Sequence, residues 1–259
     1  MLAYENEFEL YLQFLYHLNL TGFVRLEYGT FGKVLANILQ KGFSLKVHDI
    51  KEGVSTRNVN FLTLEKVLEE KIIFVAIPIH QFEKLIQKIS KIIEGDRTII
   101  DVCSVKIHTS RVMLKHLPKN IGIISTHPMF GPDSILTNQK LKMMMHRTRD
   151  CQNQYPFWKK YFNDQNINVL DMSPEEHDKL AANTQGITHF LGRTLKEFGI
   201  SKTNLDTQGF RDLLNLVEQT CNDSWQLYSD LQSYNPYTKN TIRRLKESFE
   251  KVKNDSEGV

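Results

Sequence analysis

Cysteine is scarce in this chain, and its scarcity limits the kinds of site the protein can contain. The three cysteines, Cys103, Cys151 and Cys221, lie far apart in the sequence. Three scattered thiols cannot form the disulfide framework of a secreted domain, and they lack the close spacing of a thiolate metal site. The sequence therefore predicts unlinked thiols, a reducing compartment and no metal.

The chain also lacks a strong charge of one sign and a long apolar run. Its formal net charge is +3, and the basic residues are spread out rather than clustered, which does not predict a surface for nucleic acid or an anionic membrane. Glu5, Glu7 and Glu9 stand where a secretory signal would carry lysine or arginine. No apolar run approaches membrane-spanning length. We therefore expect a cytoplasmic protein with no nucleic-acid or membrane partner, whose partner is a small molecule.

Short β-rich runs alternate with helical patterns over the first two thirds of the 259 residues. Apolar positions at helical spacing predict an N-terminal helix over residues 1–20. Alternating strands and helices favour right-handed crossovers and a mostly parallel sheet covered on both faces. The predicted fold class is α/β, with a Rossmann-like dinucleotide-binding domain over residues 1–172. Strands are predicted at 23–27, 44–49, 71–77, 98–102, 121–124, 140–145 and 167–172, with helical segments between the first four and a helix in "QYPFWKKYF".

The strand pattern stops after Ser173, and the rest of the chain predicts an all-helical C-terminal domain over residues 173–259. Ser173 is a good N-cap residue, Pro174 suits the first helical position, and Gly199 is a typical helix end. One long helix is therefore predicted between them. Two more helices are predicted at roughly 207–232 and 236–254.

The stretch "LEYGTFG", residues 26–32, has most of a dinucleotide-binding fingerprint but lacks its first glycine. The pattern G-x-G-x-x-G lets the chain turn sharply after the first strand, approach a pyrophosphate and pack the first helix on the sheet. Glu27 takes the first position, and Gly29 and Gly32 take the second and third. Asp49 ends the second strand, where an acid binds the ribose hydroxyls of NAD and repels the 2′-phosphate of NADP.

This pattern predicts a cofactor site that favours NAD, with NADP as the other possibility. A generic strand-to-helix turn is the alternative interpretation of two glycines alone. The side chain of Glu27 brings bulk and negative charge close to a phosphate, which would weaken or abolish binding. The predicted cofactor-binding residues are Gly29, Thr30, Phe31, Gly32 and Asp49.

Two segments follow the fourth and fifth predicted strands, where folds of this kind carry their catalytic groups. "DVCSVK" places Ser104 and Lys106 after the fourth strand, and "STHPMFGPDS" places His127 in a loop after the fifth. A lone loop histidine is more often solvated or structural than catalytic. Its flanking prolines and its position at a strand end favour a catalytic role here.

Three motifs in this order resemble the prephenate and arogenate dehydrogenases of tyrosine biosynthesis: "DVCSVK", "STHPMFGPDS" and "SPEEHDKLAANTQGITHFLGRTL". The resemblance runs from about Phe23 to the C-terminus and is greatest to the plant-type arogenate branch. It implies an NAD(P)-dependent oxidative decarboxylation: the ring carbon bearing the hydroxyl loses a hydride, the ring carboxylate leaves as carbon dioxide, and the ring becomes aromatic. It also implies a homodimer formed through the helical domain, which binds substrate as well.

The resemblance assigns roles to individual residues. His127 matches the catalytic histidine that hydrogen-bonds the ring hydroxyl and takes its proton, which suits an imidazole with a pKa near ambient pH. Ser104 matches the serine that orients the same hydroxyl and the nicotinamide. His189 matches a substrate-pocket histidine, and Gln185 lies one turn earlier on the same helix face.

Other polar residues of the helical domain bear on substrate choice. Arg193, one turn after His189, is a potential partner for a substrate carboxylate, whereas His177 is interpreted as a helix-capping residue. Many bacterial members carry a substrate-clamping arginine in the next helix, where this chain has Asn215, with Arg211 one turn earlier. In the plant-type branch an acid at that position goes with arogenate, which carries an ammonium, and asparagine goes with prephenate, which carries a ketone.

Asn215 therefore favours a prephenate dehydrogenase that forms 4-hydroxyphenylpyruvate. The alternatives are an arogenate dehydrogenase that forms tyrosine, another small-acid dehydrogenase on the same scaffold, and a non-catalytic relative with a degraded cofactor site. Glu27 motivates the non-catalytic interpretation. The presence of Ser104, His127 and His189 together opposes it, because a protein freed from catalysis has no physical need to keep all three.

Overall fold

The computed structural model describes residues 20–25, 30–49, 55–131 and 140–257. The strands are β1 (Leu20–Arg25), β2 (Ser44–His48), β3 (Val59–Phe61), β4 (Ile72–Ala76), β5 (Thr98–Asp101), β6 (Gly122–Pro128), β7 (Leu141–Arg149) and β8 (Ile167–Asp171). The helices are α1 (Thr30–Leu39), α2 (Leu64–Val67), α3 (Ile79–Ile89), α4 (Lys106–His116), α5 (Tyr155–Asp164), α6 (Pro174–Asn183), α7 (Gln185–Phe198), α8 (Gln208–Cys221), α9 (Trp225–Tyr234) and α10 (Thr238–Glu257).

One eight-stranded sheet has the order β3-β2-β1-β4-β5-β6-β7-β8. All neighbouring pairs are parallel except β6 and β7, which are antiparallel. The first six strands in this order have the arrangement of a Rossmann fold. The predicted fold class, a mostly parallel Rossmann-like sheet followed by helices, is confirmed.

The sheet core forms because its central strands are apolar on both faces. Strand β6 is buried along its whole length, and "IIFVA" of β4 is buried at its three central residues. Helices α1 and α5 contribute to one apolar cluster with these strands. Trp158 of α5 is 1% exposed, and its ring meets Phe74 edge-on with the ring centroids 4.9 Å apart. Such aromatic contacts stabilise the packing beyond the area they bury.

Two predictions for the sheet region were wrong in detail. Strand β1 already includes Leu20, so a helix cannot extend to residue 20, and residues 1–19 lie outside the described range. The segment between the second and third predicted strands is not one helix: it contains the short strand β3 and the one-turn helix α2. A three-residue strand is too short to produce a recognisable period, and it forms because β2 offers it a parallel partner.

The chain divides into two compact units. The first contains the residues up to Ser104 and then Thr109–Met172, and the second contains Ser173–Val259 together with Val105–His108. The four residues Val105–His108 come from the middle of the chain. A division at a single point in the sequence therefore does not reproduce the two units.

The helical unit contains more breaks than the sequence indicated. Ser173 caps α6 through its hydroxyl, which accepts a hydrogen bond from the Glu176 N–H, and Gly199 ends α7 with φ of 87°. The predicted single helix between them is interrupted at Thr184, whose hydroxyl donates to the Leu180 carbonyl at 2.9 Å. A threonine hydroxyl bonded to the preceding turn bends helices, and the nearest glycine, Gly186, lies inside α7 and not at the break.

The region after Gly199 contains three helices where two were predicted. Helix α8 ends at Cys221, and α9 begins at Trp225 with Ser224 as its N-cap residue. The Ser224 hydroxyl accepts a hydrogen bond from the Leu227 N–H at 3.1 Å. This local cap starts a new helix where the apolar period alone suggested a continuous one.

Helices α7 and α8 approach closely because Gly192 has no side chain. A Cβ atom at this position would lie 2.0 Å from Thr220 Oγ1 and 3.2 Å from the Leu216 carbonyl oxygen. The Thr220 hydroxyl is itself held by a hydrogen bond to that carbonyl at 2.7 Å. The contact leaves no room for a methyl group.

We expect Gly192→Ala to lower the free energy of unfolding by about 1–2 kcal/mol, because overpacking outweighs the gain in helix propensity. Gly209→Ala is the matched control, since no atom lies within 4 Å of a Cβ at Gly209 in α8. That variant should be neutral or stabilised by up to about 1 kcal/mol. Urea denaturation measures both, and equal effects of the two substitutions would contradict the close approach.

Candidate functional site

The carboxyl ends of β1 and β2 lie side by side at the predicted cofactor site. Val24 of β1 is level with His48 of β2, and half-buried Asp49 follows directly after β2. This places Asp49 beside the end of β1, where an acid can meet ribose hydroxyls. Glu27 and Gly29 lie outside the described residues.

The first turn of α1 packs near the segment that follows His127. The Phe31 and Phe130 ring centroids are 6.0 Å apart, and both side chains belong to the core region of the sheet unit. Gly32 is buried in the same turn, at the position where a fingerprint glycine allows a helix to pack closely on the sheet. Helix α1 begins at Thr30, so the last three positions of the fingerprint lie in its first turn. The described part of the site therefore fits a dinucleotide.

His127 lies inside a strand and not in a loop after it, so this part of the prediction was wrong. It is the second-last residue of β6, it is level with Met144 of β7, and it is 3% exposed. The strand continues to Pro128 because β7, on the side of β6 opposite to β5, pairs with it up to that residue. The imidazole is thus carried by a rigid strand at the carboxyl end of the parallel sheet.

Ser104 lies at the same edge of the sheet, after the neighbouring strand. Strand β5 ends at Asp101, and its residues pair with β6 up to Ser125. The half-buried Ser104 therefore follows the strand next to the one that carries His127. The two predicted catalytic residues occupy adjacent strand ends, as the Rossmann architecture requires of groups that act together.

A buried carboxylate that the sequence reasoning did not single out caps the start of α4. Asp178 Oδ1 accepts from the Lys106 N–H at 2.8 Å, and Asp178 Oδ2 accepts from the Ile107 N–H at 2.9 Å. Lys106 and Asp178 are both 0% exposed. The two bonds satisfy helix N-terminal donors with a negative charge, which is the favourable arrangement there.

His177 does not cap its own helix, so that prediction was wrong. Ser173 provides the cap of α6, and the His177 imidazole lies beside Asp178, with Nδ1 2.8 Å from Oδ1. His177 is 3% exposed. It therefore belongs to the buried polar group around Asp178. The "EEHD" string shows that His177 and Asp178 are neighbours in the sequence. The sequence could not show that the Asp178 carboxylate would reach the start of α4.

His189 of α7 is buried beside an acid that follows α8. His189 Nε2 lies 3.7 Å from Asp223 Oδ2, and no described residue hydrogen-bonds His189 Nδ1. Burial lowers the pKa of His189 below its usual range; the Asp223 carboxylate raises the pKa, and the Arg193 guanidinium lowers it. The imidazole is therefore kept neutral, with one ring nitrogen available to a ligand.

Arg193 is engaged by the protein, whereas the sequence suggested a substrate carboxylate as its partner. Its Nη2 donates to the backbone carbonyls of Asp223 at 2.7 Å and Ser224 at 3.2 Å. Its guanidinium lies over the rings of Trp225 and Tyr228, 5.1 and 4.9 Å from their centroids. Burial raises the pKa of Tyr228, and Arg193 opposes that effect. These contacts hold the turn between α8 and α9 next to His189.

The remaining predicted residues lie on α7 and α8. Gln185 is the first residue of α7 and is half-buried, one turn before His189. Asn215 is exposed on α8. Arg211, one turn before it, is occupied by the Gln208 side chain and by the Asp206 carbonyl, which Nη1 reaches at 2.6 Å.

Comparisons with known proteins identify what this chain resembles. Residues 44–142 match the family model of the prephenate dehydrogenase nucleotide-binding domain, and residues 194–256 match the TYRAAT1-like C-terminal domain. Chloroplastic arogenate dehydrogenase 2 of Arabidopsis thaliana is 28% identical over 248 residues, which cover 89% of this chain and 68% of that protein. The resemblance of the chain to the prephenate and arogenate dehydrogenase family is confirmed.

Two further comparisons support the family fold. Chloroplastic arogenate dehydrogenase 1 of the same plant is 30% identical over 244 residues, 87% of this chain but only 38% of that protein. The solved prephenate dehydrogenase of Aquifex aeolicus, in complex with hydroxyphenyl propionate and NAD+, has a TM-score of 0.66 at 19% identity and covers 91% of this chain and 88% of its own. The likeness to these dehydrogenases supports a nicotinamide-dependent oxidoreductase. The nucleotide-binding model begins at residue 44, after the fingerprint turn.

Two features are absent from the described part of the chain: a cluster of metal-ligating side chains and a membrane-spanning helix. No group of three or more His, Cys, Asp and Glu side chains within residues 20–25, 30–49, 55–131 and 140–257 could hold a metal ion. None of the helices described over those ranges is long and apolar enough to cross a membrane.

We expect Asp223→Asn to lower the pKa of His189 further, because it removes the charge that favours the imidazolium. Histidine imidazole resonances followed by NMR across pH 4–8 measure this, with His189→Asn to assign the signal. Asp212→Asn on α8 is the control and should leave the pKa unchanged, since Asp212 does not contribute to the shift. An equal pKa in Asp223→Asn and the unsubstituted protein would contradict the pairing.

The same lowered pKa has a consequence for stability. An unfolded histidine has a pKa of about 6.5, so the unfolded chain takes up a proton at His189 at a higher pH than the folded chain. The contribution of His189 to stability is therefore present above pH ~6.5 and is lost as the pH falls below it.

Proposed function

We propose that this dehydrogenase oxidatively decarboxylates arogenate to tyrosine, with prephenate as the second candidate substrate. The observation that carries the choice is the Asp223 carboxylate, 3.7 Å from the buried imidazole of His189. By family resemblance His189 lies in the substrate pocket. An acid in that pocket attracts the ammonium of arogenate and has nothing to gain from the ketone of prephenate.

His127 is the proposed general base. A neutral imidazole hydrogen-bonds the ring hydroxyl and takes its proton as the hydroxyl-bearing carbon gives up its hydride and becomes a carbonyl. As carbon dioxide leaves, the electron pair of the broken C–C bond moves through the ring to that oxygen, which regains a proton as the phenol. The strand β6 holds the His127 ring rigidly. The ring is shielded from bulk water, because only 3% of the residue is exposed. Ser104, at the end of the neighbouring strand, orients the same hydroxyl.

NAD is the proposed cofactor, and when bound it accepts the hydride from the substrate ring. Asp49 supports NAD over NADP, because a carboxylate hydrogen-bonds a free ribose diol and repels a 2′-phosphate. Gly29, Thr30, Phe31 and Gly32 form the proposed pyrophosphate turn and the first turn of α1. Phe31 acts through packing, since its ring lies against Phe130.

Substrate binding is proposed to involve His189 Nδ1 and Gln185. A buried ring nitrogen with no partner among the described residues is costly unless a ligand atom satisfies it, and the neutral imidazole can donate to a substrate oxygen. Arg193 is a positioning residue in this proposal, because its Nη2 is bonded to the Asp223 and Ser224 carbonyls. It holds Asp223 where the carboxylate faces His189.

The prephenate alternative depends on Asn215. Asparagine at the matching position goes with the ketone substrate in the plant-type branch, but Asn215 is exposed on α8, whereas Asp223 lies against His189. The names of the two Arabidopsis relatives, both arogenate dehydrogenases, also favour arogenate. Because this chain spans only 68% and 38% of those proteins, the substrate is a proposal for this chain.

A homodimer through the helical unit is proposed as the assembly. Phe198 at the end of α7 is 82% exposed and Leu205, before α8, is 91% exposed. Trp225 is 67% exposed. Large apolar side chains that are this exposed favour an interface with another protein. The family resemblance implies that the partner is a second copy of the chain.

A reducing compartment, the cytoplasm, is the proposed location. None of the three cysteines is in a disulfide, which is compatible with it. The two Arabidopsis relatives carry "chloroplastic" in their names, and that location is said of those proteins.

The activity test measures reduced dinucleotide at 340 nm with arogenate or prephenate and with NAD or NADP. We expect the highest kcat/KM with arogenate and NAD. His127→Asn should lower kcat by about 10²–10⁴, the usual contribution of a general base. Asp223→Asn should shift the arogenate-to-prephenate ratio of kcat/KM toward prephenate by about tenfold or more.

Asp212→Asn serves as the control for that variant, since it removes an exposed acid of the same helical unit and should leave the ratio unchanged. A preference for prephenate that Asp223→Asn does not alter would reject arogenate as the substrate. If no dinucleotide binds until Glu27 is replaced by glycine, the non-catalytic interpretation is correct and the catalytic proposal is wrong.

The dimer proposal predicts a sedimentation mass of twice 30.2 kDa. The double variant Phe198→Asp, Leu205→Asp should sediment as a monomer, because a charge at each position opposes burial. Leu114→Asp is the matched control, since Leu114 is a 49% exposed leucine of the sheet unit, and it should remain dimeric. A monomeric unsubstituted chain at micromolar concentration would reject the proposal.

A further inference from the structure

Strand β6 continues beyond the point where its neighbour β5 ends. The last paired residues are Asp101 of β5 and Ser125 of β6. On the other side, β7 pairs with β6 through to Pro128. Thr126 and His127 therefore have a strand partner on one side only, and a backbone donor on the β5 side needs another acceptor.

Two side chains complete the ladder at this point. The Thr126 backbone N–H donates to Asp101 Oδ1 at 3.1 Å, and the Thr126 hydroxyl donates to the Asp101 carbonyl at 2.6 Å. Both residues are 0% exposed. The carboxylate of one residue and the hydroxyl of the other thus form a reciprocal pair, the strand-end pair Asp101–Thr126.

The carboxylate of Asp101 is an unusual end for a buried apolar strand. The preceding residues of β5, Ile99 and Ile100, are apolar and fully buried, so an apolar residue would be the usual end of such a strand. A buried carboxylate is costly unless it is hydrogen-bonded. The Asp101 carboxylate meets this condition, and its bond holds the backbone directly before His127.

Other polar side chains fix the same edge of the sheet. The Ser125 hydroxyl shares hydrogen bonds with Ser110 of α4 at 2.7 Å and with Thr148 of β7 at 2.8 Å. Thr148 is the residue skipped where the β6–β7 register shifts, so a bulge lies beside this hydroxyl. Bulges of this kind adjust the aim of nearby side chains and are frequent near active sites.

Cys103 adds a bond on the other side of the same edge. Its thiol donates to the Ile77 carbonyl, just after β4, at 3.5 Å. The segment from Asp101 to Cys103 is therefore held toward β6 by the strand-end pair and toward β4 by Cys103. Ser104 follows directly after this doubly held segment.

We propose that Asp101 and Thr126 are positioning residues for the reaction: the strand-end pair sets the distance between the segments that carry Ser104 and His127. Thr126 directly precedes His127, and Asp101 lies three residues before Ser104. A shift of one segment against the other would move both groups relative to the ring hydroxyl. Small misplacements of this kind cost large factors in rate. The inference rests on the proposed function, because it concerns the same two catalytic side chains.

The test compares Thr126→Val, which removes the hydroxyl at nearly constant shape, with Thr126→Ser, which keeps it. We expect Thr126→Val to lower kcat by about tenfold or more while the KM for NAD changes by less than about twofold, and Thr126→Ser to restore most of kcat. Asp101→Asn keeps an acceptor oxygen and removes the charge, so it should lie between the two. Kinetics and thermal unfolding are measured on each.

Thr98→Val is the matched control. Thr98 is fully buried at the start of β5, and its hydroxyl donates to Gln152 Oε1 at 3.1 Å, at the opposite end of the strand from the site. It should lose thermal stability but keep kcat. If Thr126→Val also loses only stability and keeps kcat within twofold, the pair is merely structural and the positioning role is rejected.

A second readout separates this inference from the proposed function. The NMR resonance of the His127 imidazole in the substrate-free protein should shift in Thr126→Val, return in Thr126→Ser and stay unchanged in Thr98→Val. If the unsubstituted chain turns over neither substrate, the proposed function fails while the imidazole measurement still tests the pair. An unshifted imidazole in Thr126→Val would overturn the inference by itself.

Discussion

A fully buried carboxylate, that of Asp178, joins two parts of the helical unit that are far apart in the sequence. The carboxylate accepts hydrogen bonds from two backbone N–H groups at the start of α4, those of Lys106 and Ile107. The backbone carbonyl of Asp178 accepts a third hydrogen bond, from the Asn235 side chain at 2.7 Å. Removing the carboxylate would leave helix donors unsatisfied in a buried place, which is far more costly than losing a surface ion pair. Four residues from the middle of the chain belong to the helical unit under this constraint, and Ser104 directly precedes them.

The sheet unit shows the complementary arrangement, with apolar strands and polar strand ends. Ile99 and Ile100 of β5 are buried among other apolar residues, and Asp101 begins a polar edge that includes Ser104 and His127. This division follows from the parallel architecture, because the carboxyl ends of neighbouring strands meet at one edge and ligands bind there. Catalytic groups gain rigidity from strands whose own stability comes from the apolar core.

Sequence reasoning located the main elements and several site residues. Short β-rich runs predicted seven of the eight described strands, and Ser173 and Gly199 mark helix ends where local chemistry requires them. It missed β3, which forms only against β2, and it placed His127 in a loop, because the extension of β6 depends on pairing with β7. From the sequence, a substrate carboxylate was the expected partner of Arg193. The structure shows the carbonyls of Asp223 and Ser224 instead, which come near Arg193 only when α7 packs beside α8 and α9.

The amino-acid sequence by itself determined the fold class, most of the strands, and the motifs around Ser104, His127 and His189, because periodicity, capping and local motifs are properties of neighbouring residues. Only the tertiary structure decided that Asp223 faces His189, that Asp178 caps α4, and that Asp101 and Thr126 bond across a strand end. These pairs join residues between 25 and 72 positions apart. Their contacts depend on how strands align and helices pack, and no local pattern of residues records that.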